Sequence, residues 1–589
     1  MNAKEVTGLK CLDPEKIIPI SRQSTEAFKT GTWSKVRPLF MEKTAPCRAA
    51  CPIGNDIPRA VYQASQGDYD RALAIFLQET PLPGVCGRVC YHPCESKCNR
   101  GEYDDPVNIR SFERFLADNG HVDVAALSSP CAGDKRVAVV GSGPAGLSAA
   151  YHLARMGCTV TLFEARPAPG GMLRYGIPSY RLPRPVLDKE IDRILDLGIE
   201  VKPNTTVGDN LPWSALDEYD AVFLSTGLPR GKRLFSSSGL RDRVFAGVDF
   251  LSDPEISPLK DAGQKTLIIG GGNVAVDVAR TLLRIRGGQG EGITLVCPES
   301  REQMPALHDD LAEAMEEGLH VHNGWVPVEV KEGAQSPITV EFRQAELERD
   351  EATGQLAVRP VGDSCRQYEA DHVIAAIGQE LAAGVLPEQV DVSSDRIAID
   401  SYGRTSRAKF FAGGDAAGSN AFVADAIAAG KLGALAIACA FRDEDAEEQF
   451  KACQLGTSRA FSFRHFMERA LMESENLKQV VAYDEINTLF FPPRPRVSPA
   501  KENVQTRRTD FTEVVKGIQP AEMSLEIARC FNCGTCIDCE NCMDFCPDVS
   551  ILKDAGSGTY DFDADYCKGC GVCSVACPRN IITMERDTG

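Results

Sequence analysis

Cysteine is the residue in this chain best placed to do chemistry. There are 23 in 589 residues, ten of them between Cys530 and Cys577 and six between Cys47 and Cys98. Cys536, Cys539, Cys542 and Cys546-Pro547 spell C-x2-C-x2-C-x3-C-P, as do Cys567, Cys570, Cys573 and Cys577-Pro578. That doubled run holds two 4Fe–4S clusters, the fourth cysteine of each run crossing to the other cluster. The expected sets are Cys536, Cys539, Cys542 and Cys577, and Cys567, Cys570, Cys573 and Cys546. Soft thiolates suit iron, and four of them hold its tetrahedral corners. A pair of structural zinc sites is the plain alternative, disfavoured by the twofold repetition with both prolines. Cys530 and Cys533 extend the first run upstream and fit neither register, as free thiols or as another site.

Upstream, Cys47-x3-Cys51-Pro52 precedes Cys86-x3-Cys90-x3-Cys94-x3-Cys98. Six neighbouring thiols favour at least one 4Fe–4S cluster. Spacing alone groups Cys86, Cys90, Cys94 and Cys98. Zinc is the alternative, although these are not the spacings of common zinc modules.

Two glycine-rich turns each follow an apolar run. In the first, Gly141, Gly143 and Gly146 fit G-x-G-x-x-G, with Pro144 and Ala145 between them. The glycines permit a tight turn, close approach to a pyrophosphate, and close helix packing. The helix N-terminus then offers free N–H groups to phosphate. Glu164 ends the next strand, where a carboxylate can bond ribose hydroxyls. Gly170-Gly171, with Met172 and Arg174 in the following MLRYGIPSYRLP, and the late Gly413-Gly414-Asp415, argue for FAD at this turn. A plain turn or cap is the alternative for Asp415. In the second turn Gly270 and Gly272, with Asn273, Val274 and Ala275, match G-x-G-x-x-A, and Gly378 closes the same segment. Glu299 falls where the residue facing the adenosine 2′ position belongs. An acid there accepts from a free hydroxyl and repels a 2′-phosphate, so NAD(H) is expected over NADP(H). An exposed loop glutamate is the alternative, and Arg301 is near enough to rescue some phosphate binding.

These groups need rigid elements to position them. Apolar runs at 136–140, 265–269, 292–297, 371–377 and 409–412 read as strands alternating with helices, which implies parallel α/β sheets. Residues 57–77 and 107–116 have helical apolar spacing. The fold class is a multidomain α/β chain with a helical iron–sulfur domain, two nested Rossmann-type domains for FAD and NAD, and a ferredoxin-like α+β module. The expected boundaries are 1–130, 131–246 (FAD, first part), 247–378 (inserted NAD(P) domain), 379–440 (FAD, second part), 441–520 (helix and linker wrapping the body) and 521–589 (two-cluster module). A formal net charge of -19 argues against nucleic-acid binding, which needs clustered Lys and Arg. MNAKEVTGLKC has no apolar signal region, and the stretch 424–441 reads as too short and too polar to span a bilayer. A cytoplasmic protein is expected.

Together the motifs resemble the small, NAD(P)H-oxidising subunit of glutamate synthase and its relatives, a group that includes the N-terminal half of dihydropyrimidine dehydrogenase and the large subunit of the electron-bifurcating ferredoxin–NADP transhydrogenase. The residues that carry the resemblance are APCRAACP (45–52), PLPGVCGRVC (81–90), VGSGPAGLSAAYHLA (140–154), GGMLRYGIPSYRLP (170–183), IGGGNVAVDVAR (269–280), AIGQ (376–379) and AGGDA (412–416). The added C-terminal module looks like that of flavoproteins serving dissimilatory sulfite reductase or 2-oxoacid oxidoreductases. Relatives use eight N-terminal cysteines for two clusters, but this chain lacks the upstream C-x2-C pair. Their ligands cross, and the fourth ligand of the flavin-proximal cluster is a Glu or Gln near PVNIRSFERF. The pattern implies Cys51, Cys90, Cys94 and Glu113 here, and leaves Cys47, Cys86 and Cys98 to an incomplete or absent second cluster. An ordinary helix-surface carboxylate is the alternative for Glu113. The group usually has two arginines where Pro298 and Glu299 stand, which strengthens the NADH expectation.

The implied activity is electron transfer between NAD(H), FAD and the clusters, to or from a partner redox enzyme in a larger complex, such as a 2-oxoacid oxidoreductase or sulfite reductase. No side chain need act as nucleophile or general base, because the cofactors supply the chemistry. Two other readings stand beside it: a glutamate synthase small subunit using NADPH, and a relay module with an inactive nicotinamide site.

Overall fold

The computed structural model describes residues 29–586, apart from 235–242, 254–258, 260–263, 332–336, 350–355, 469–473 and the single positions 383, 385, 419 and 557. The N-terminal MNAKEVTGLKC lies outside the described residues. The chain divides into two units: the described residues of Met1–Ser129, Cys439–Ser498 and Gly517–Gly589, and those of Pro130–Ala438 with Pro499–Lys516.

The second unit carries two five-stranded parallel sheets. One runs in the order Phe410–Ala412, Ala221–Leu224, Arg136–Val140, Thr159–Phe163, Glu200–Lys202. The other runs His320–Asn323, Ile293–Cys297, Thr266–Ile269, His372–Ala375, Val244–Ala246. In each, the strand that feeds a glycine turn is central, so it is covered on both faces and reads as an unbroken apolar run. Its first strand, Val244–Ala246, puts the start of the second sheet slightly ahead of the expected 247. An antiparallel meander, Trp325–Lys331, Ile338–Arg349 and Leu356–Ala370, joins this half. It was not expected, because its outer strands expose much of both faces and lack a clean apolar alternation.

Helix Val423–Phe441 corrects the expectation for 424–441. Its 19 residues, with a mean hydropathy of 1.6, are long and apolar enough to cross a membrane. It is instead packed in the core: a Cβ on Gly430 would lie 2.0 Å from the Ala145 carbonyl oxygen, and one on Gly433 2.2 Å from the Phe223 ring. Small residues are there to let the helix approach, which is a packing reason for an apolar helix.

A buried ionic cluster anchors the second glycine turn's helix, Asn273–Ile285. Arg280 bonds Glu313 at 2.9 Å and Glu317 at 2.7 Å, and Arg284 bonds Glu317 at 2.9 Å. The Arg284 guanidinium sits 3.8 Å from the Tyr180 ring centroid. The segment Val504–Thr509 straps this helix, with Arg507 bonding Glu316 and Arg508 reaching the Gly288 carbonyl.

The first unit is built from short helices. The apolar pattern over 57–77 is two helices, Ile57–Ser65 and Tyr69–Glu79, because Gly67 turns at φ +83° and Asp68 caps the second by accepting from the Arg71 N–H. Asn108 caps Ile109–Asn119 in the same way. Strand Val36–Phe40 pairs antiparallel with the last strand, Ile582–Arg586, so the N-terminal segment is an edge of the C-terminal module.

Glu317 accepts from two fully buried arginines. Glu317→Ala therefore leaves the buried Arg284 without a carboxylate and Arg280 with Glu313 alone, and is expected to cost about 3 kcal/mol. Thermal unfolding should show a clearly lowered midpoint for the second unit, with the exposed Glu348→Ala within about 0.5 kcal/mol of the parent.

Candidate functional site

At the first turn, Gly141 adopts φ +101° and Gly143 precedes helix Pro144–Arg155, which has no side-chain cap. The helix's first N–H donors are thus left to a ligand. A Cβ on Gly146 would meet the Gly141 carbonyl oxygen at 1.9 Å, whereas one on Gly143 would meet nothing within 4 Å. Glycine is needed at 146 for packing, and the space before Gly143 is open. The buried Glu164 accepts from the Ser142 N–H at 3.1 Å and the Arg166 N–H at 2.7 Å, and it also bonds the Ser142 hydroxyl. Gly171 lies against Gly143, its ideal Cβ 2.7 Å from that Cα. Helix Met172–Tyr175 follows, and the Arg174 guanidinium is engaged by Asp188 and the Pro169 carbonyl.

Asp415 sits in the turn Gly414–Ala416, where a Cβ on Gly414 would lie 2.7 Å from the Ala145 Cβ. Its Oδ1 is buried without a partner. Burial pushes its carboxyl up to about 6, against the pull of Arg396 and with the push of Asp425. An orphaned carboxylate oxygen beside an uncapped helix and an open glycine fits a polar pyrophosphate-bearing cofactor such as FAD.

The second turn repeats the geometry. Gly270 adopts φ +139°, Gly272 precedes Asn273–Ile285 without a side-chain cap, and a Cβ on Gly272 would meet nothing within 4 Å. Ala275 is fully buried, Val274 packs near Gly247, and the Asn273 side chain accepts from the Leu307 N–H at 2.9 Å. The Gly378 carbonyl accepts from Lys232 N–H at 3.0 Å. Glu299 lies just beyond strand Ile293–Cys297. Its Oε2 is 2.4 Å from the Cβ position of Gly271 and is buried without a partner. Its chain neighbours Pro298 and Ser300, with Gln303 and Asn323, line a cleft of about 360 Å³. Arg301 is exposed.

In the first unit, three cysteine-bearing helices open with proline: Pro46–Ala50, Pro83–Val89 and Pro93–Ser96. Proline's fixed φ starts each without a nucleated turn. Cys51 and Cys90 follow two of them as C-caps, and Cys86 is buried within the second. Burial raises the Cys90 thiol first, followed by the neighbouring Glu113 carboxylate, with Cys51 also near. Burial likewise raises Cys94 ahead of Cys51 and Cys90. Glu113 is 6% exposed and accepts from Asn55 at 3.3 Å, so it is no helix-surface carboxylate. Cys51, Cys90, Cys94 and Glu113 are thus neighbours. His92 N–H points to the Cys90 sulfur at 3.3 Å.

The C-terminal thiols also cross. Burial pushes Cys542 up to about 12, followed by the charges of Cys539, Cys577 and Cys536. Cys573, raised to about 11 mainly by burial, neighbours Cys570, Cys546 and Cys567. A pocket lies among Cys546, Cys567, Cys570 and Cys573. Among the described residues no three His, Cys, Asp or Glu side chains converge as a single ion would require. Four sulfurs around one pocket suit the four iron corners of a 4Fe–4S cluster.

Three family models match: pyridine nucleotide-disulphide oxidoreductase over residues 135–430, dihydropyrimidine dehydrogenase domain II, 4Fe-4S cluster, over 39–123, and 4Fe-4S dicluster domain over 535–581. Cys530 and Cys533 fall outside all three. The NADP(+)-dependent formate dehydrogenase subunit beta of Moorella thermoacetica is 34% identical over 525 residues, 83% of this chain and 70% of that one. The NADPH-Fe(3+) oxidoreductase subunit beta of Geobacter sulfurreducens is 34% identical over 417 residues, and the match spans 67% of this chain but only 62% of that protein's length. An NAD-dependent dihydropyrimidine dehydrogenase subunit of Escherichia coli is 34% identical over 406 residues, 67% of this chain and 90% of that one. These relatives support the broad group that the motifs resemble without singling out the glutamate synthase small subunit. The chain belongs to the pyridine nucleotide-disulphide oxidoreductase family, as an iron–sulfur flavoprotein whose sequence carries 4Fe–4S domains before and after its nucleotide-binding segment.

Proposed function

We propose that this chain is an NADH:acceptor electron-transfer subunit, exchanging electrons between NAD(H) and a partner redox enzyme. The single observation that carries the nucleotide preference is the buried, unpartnered Glu299 oxygen lying across Gly271. Glu164, at the equivalent place in the first sheet, reaches the equivalent residue Ser142 and is satisfied by it. Gly271 has no side chain, so Glu299 remains available to a ribose hydroxyl and hostile to a 2′-phosphate.

A bound FAD would supply two-electron exchange with a nicotinamide, and bound clusters would supply one-electron transfer. The chain's own residues do the rest. The two uncapped helix starts receive pyrophosphates, and the Gly143 and Gly272 backbones admit them. Asp415 offers its free oxygen to the flavin's polar chain, and the apolar core at Ala275 closes the site from behind. The formate dehydrogenase, iron oxidoreductase and dihydropyrimidine dehydrogenase relatives are named as subunits, which supports a redox partner for this chain too.

Anaerobic titration monitored by flavin absorbance tests the reading. NADH should bleach the flavin at lower concentration than NADPH, and Glu299→Arg should move the preference toward NADPH by roughly tenfold or more, the equivalent of about 1.4 kcal/mol. Stronger reduction of the parent by NADPH would overturn the role of Glu299, and no bleaching by either would mean an inactive nicotinamide site.

Asp415→Ala removes a charged hydrogen-bonding group, worth about 1.5–3 kcal/mol. The purified variant should retain flavin some 10- to 100-fold more weakly, measured by flavin released on dilution, with unchanged far-ultraviolet dichroism.

A further inference from the structure

Cys530 and Cys533 belong to neither cysteine run of the C-terminal module, and Cys47 and Cys98 are left over once Cys51, Cys90, Cys94 and Glu113 are grouped. All four are in the same unit. The four lie within electrostatic reach of one another: Cys98, Cys530 and Cys533 raise Cys47, Cys98 raises Cys530, and Cys530 and Cys98 raise Cys533. Cys47 and Cys533 are buried, at 7% and 8% exposure, and Cys98 and Cys530 are half-buried.

The segment that carries the late pair is fastened to the early one. Arg100 donates to the Arg529 carbonyl at 2.9 Å, and the fully buried Arg529 side chain bonds Asp104 at 2.9 Å. Asn532 donates to the Pro58 carbonyl at 2.7 Å, and Lys43 N–H to the Gly534 carbonyl at 2.8 Å. Two N–H groups aim at the sulfurs themselves: Asn532 N–H at Cys530, 3.4 Å, and the Asn99 side-chain amide at Cys533, 3.6 Å. Hydrogen bonds to sulfur are what a cluster's thiolates receive and what tunes their potential. Packing alone needs no donor at a buried Cys, yet Cys530 and Cys533 each have one turned toward them.

We propose that Cys47 and Cys98, with Cys530 and Cys533 from far along the chain, are the four ligands of a further 4Fe–4S cluster, which makes four clusters in the chain. The C-x2-C pair lacking upstream is supplied by the segment ahead of the C-terminal module. This rests on the reading of the chain as an iron–sulfur electron carrier and gives that carrier its middle. Cys47 is a neighbour of Cys94 in the preceding set, and Cys533 is three residues from Cys536 in the following one. The buried Arg579 is influenced by Cys539 and Cys577 and by Cys530, and so lies between those two sets. The new cluster therefore joins the N-terminal and C-terminal centres of this unit into one series.

The test uses the full chain, purified and reconstituted without oxygen. Iron, acid-labile sulfide and zinc are counted, and the dithionite-reduced protein is examined by electron paramagnetic resonance and Mössbauer spectroscopy. The parent should hold about sixteen iron atoms, four for each cluster. The double variant Cys530→Ser, Cys533→Ser and, separately, Cys47→Ser should each lose about four irons and the same paramagnetic component. Bound flavin reports that the rest of the chain has folded. A parent with about twelve irons, none lost in either variant, overturns this site alone. One zinc per chain in place of the missing iron overturns it too, and a parent with no iron at all overturns the wider reading along with it.

Discussion

Sulfur buried away from water is the constraint on which the first unit depends. Burial is the leading cause of the raised thiols of Cys47, Cys51, Cys90, Cys94, Cys530 and Cys533, so each resists becoming a thiolate on its own. A thiolate there needs a compensating cation, and binding one releases the proton and couples metal affinity to folding. The helices that present these sulfurs, five residues in Pro46–Ala50 and four in Pro93–Ser96, are far too short to stand by their own propensity. Their prolines and caps set the direction of each turn. The sulfur centres are what tie the turns together.

The second unit obeys a different rule. Two parallel sheets each place one apolar strand at the centre and turn it sharply into an uncapped helix. The turns are alike enough that their differences carry the meaning. At the first, Ser142 satisfies the carboxylate that follows the next strand. At the second, Gly271 leaves the corresponding Glu299 oxygen without a partner. One side chain, present or absent, changes what an otherwise repeated cradle asks of its ligand. The buried Arg280, Arg284 and Glu317 cluster, with Tyr180 stacked on it, keeps the second helix in place behind that turn.

Much of this was readable along the chain. The strand into Gly141 runs Arg136–Val140 as expected, since a central parallel strand is apolar without interruption. The C-terminal ligand sets were legible because a repeated spacing states its own pairing. Two features were obscured by local rules that compete with periodicity: the break at Gly67, where a positive φ outweighs an apolar pattern that continues past it, and helix Val423–Phe441, whose composition is the same for a core helix as for a membrane span. The meander at 325–370 was harder to read: its middle strand alternates only over Ile338, Val340 and Phe342, and its outer strands are largely exposed.

Residue type and local spacing, by themselves, determined the chemistry of this protein: thiols for iron, glycine turns for phosphate, an acid for a ribose. These are short-range properties, settled within a few residues. Only the tertiary structure decided which distant groups share a site. Glu113, which only the resemblance implied, neighbours Cys51 and Cys90 from another helix, and Cys530 and Cys533 meet Cys47 and Cys98 across more than four hundred residues of intervening sequence. The reason is that a site formed by chain return depends on how whole elements pack, and no spacing along the sequence encodes that distance.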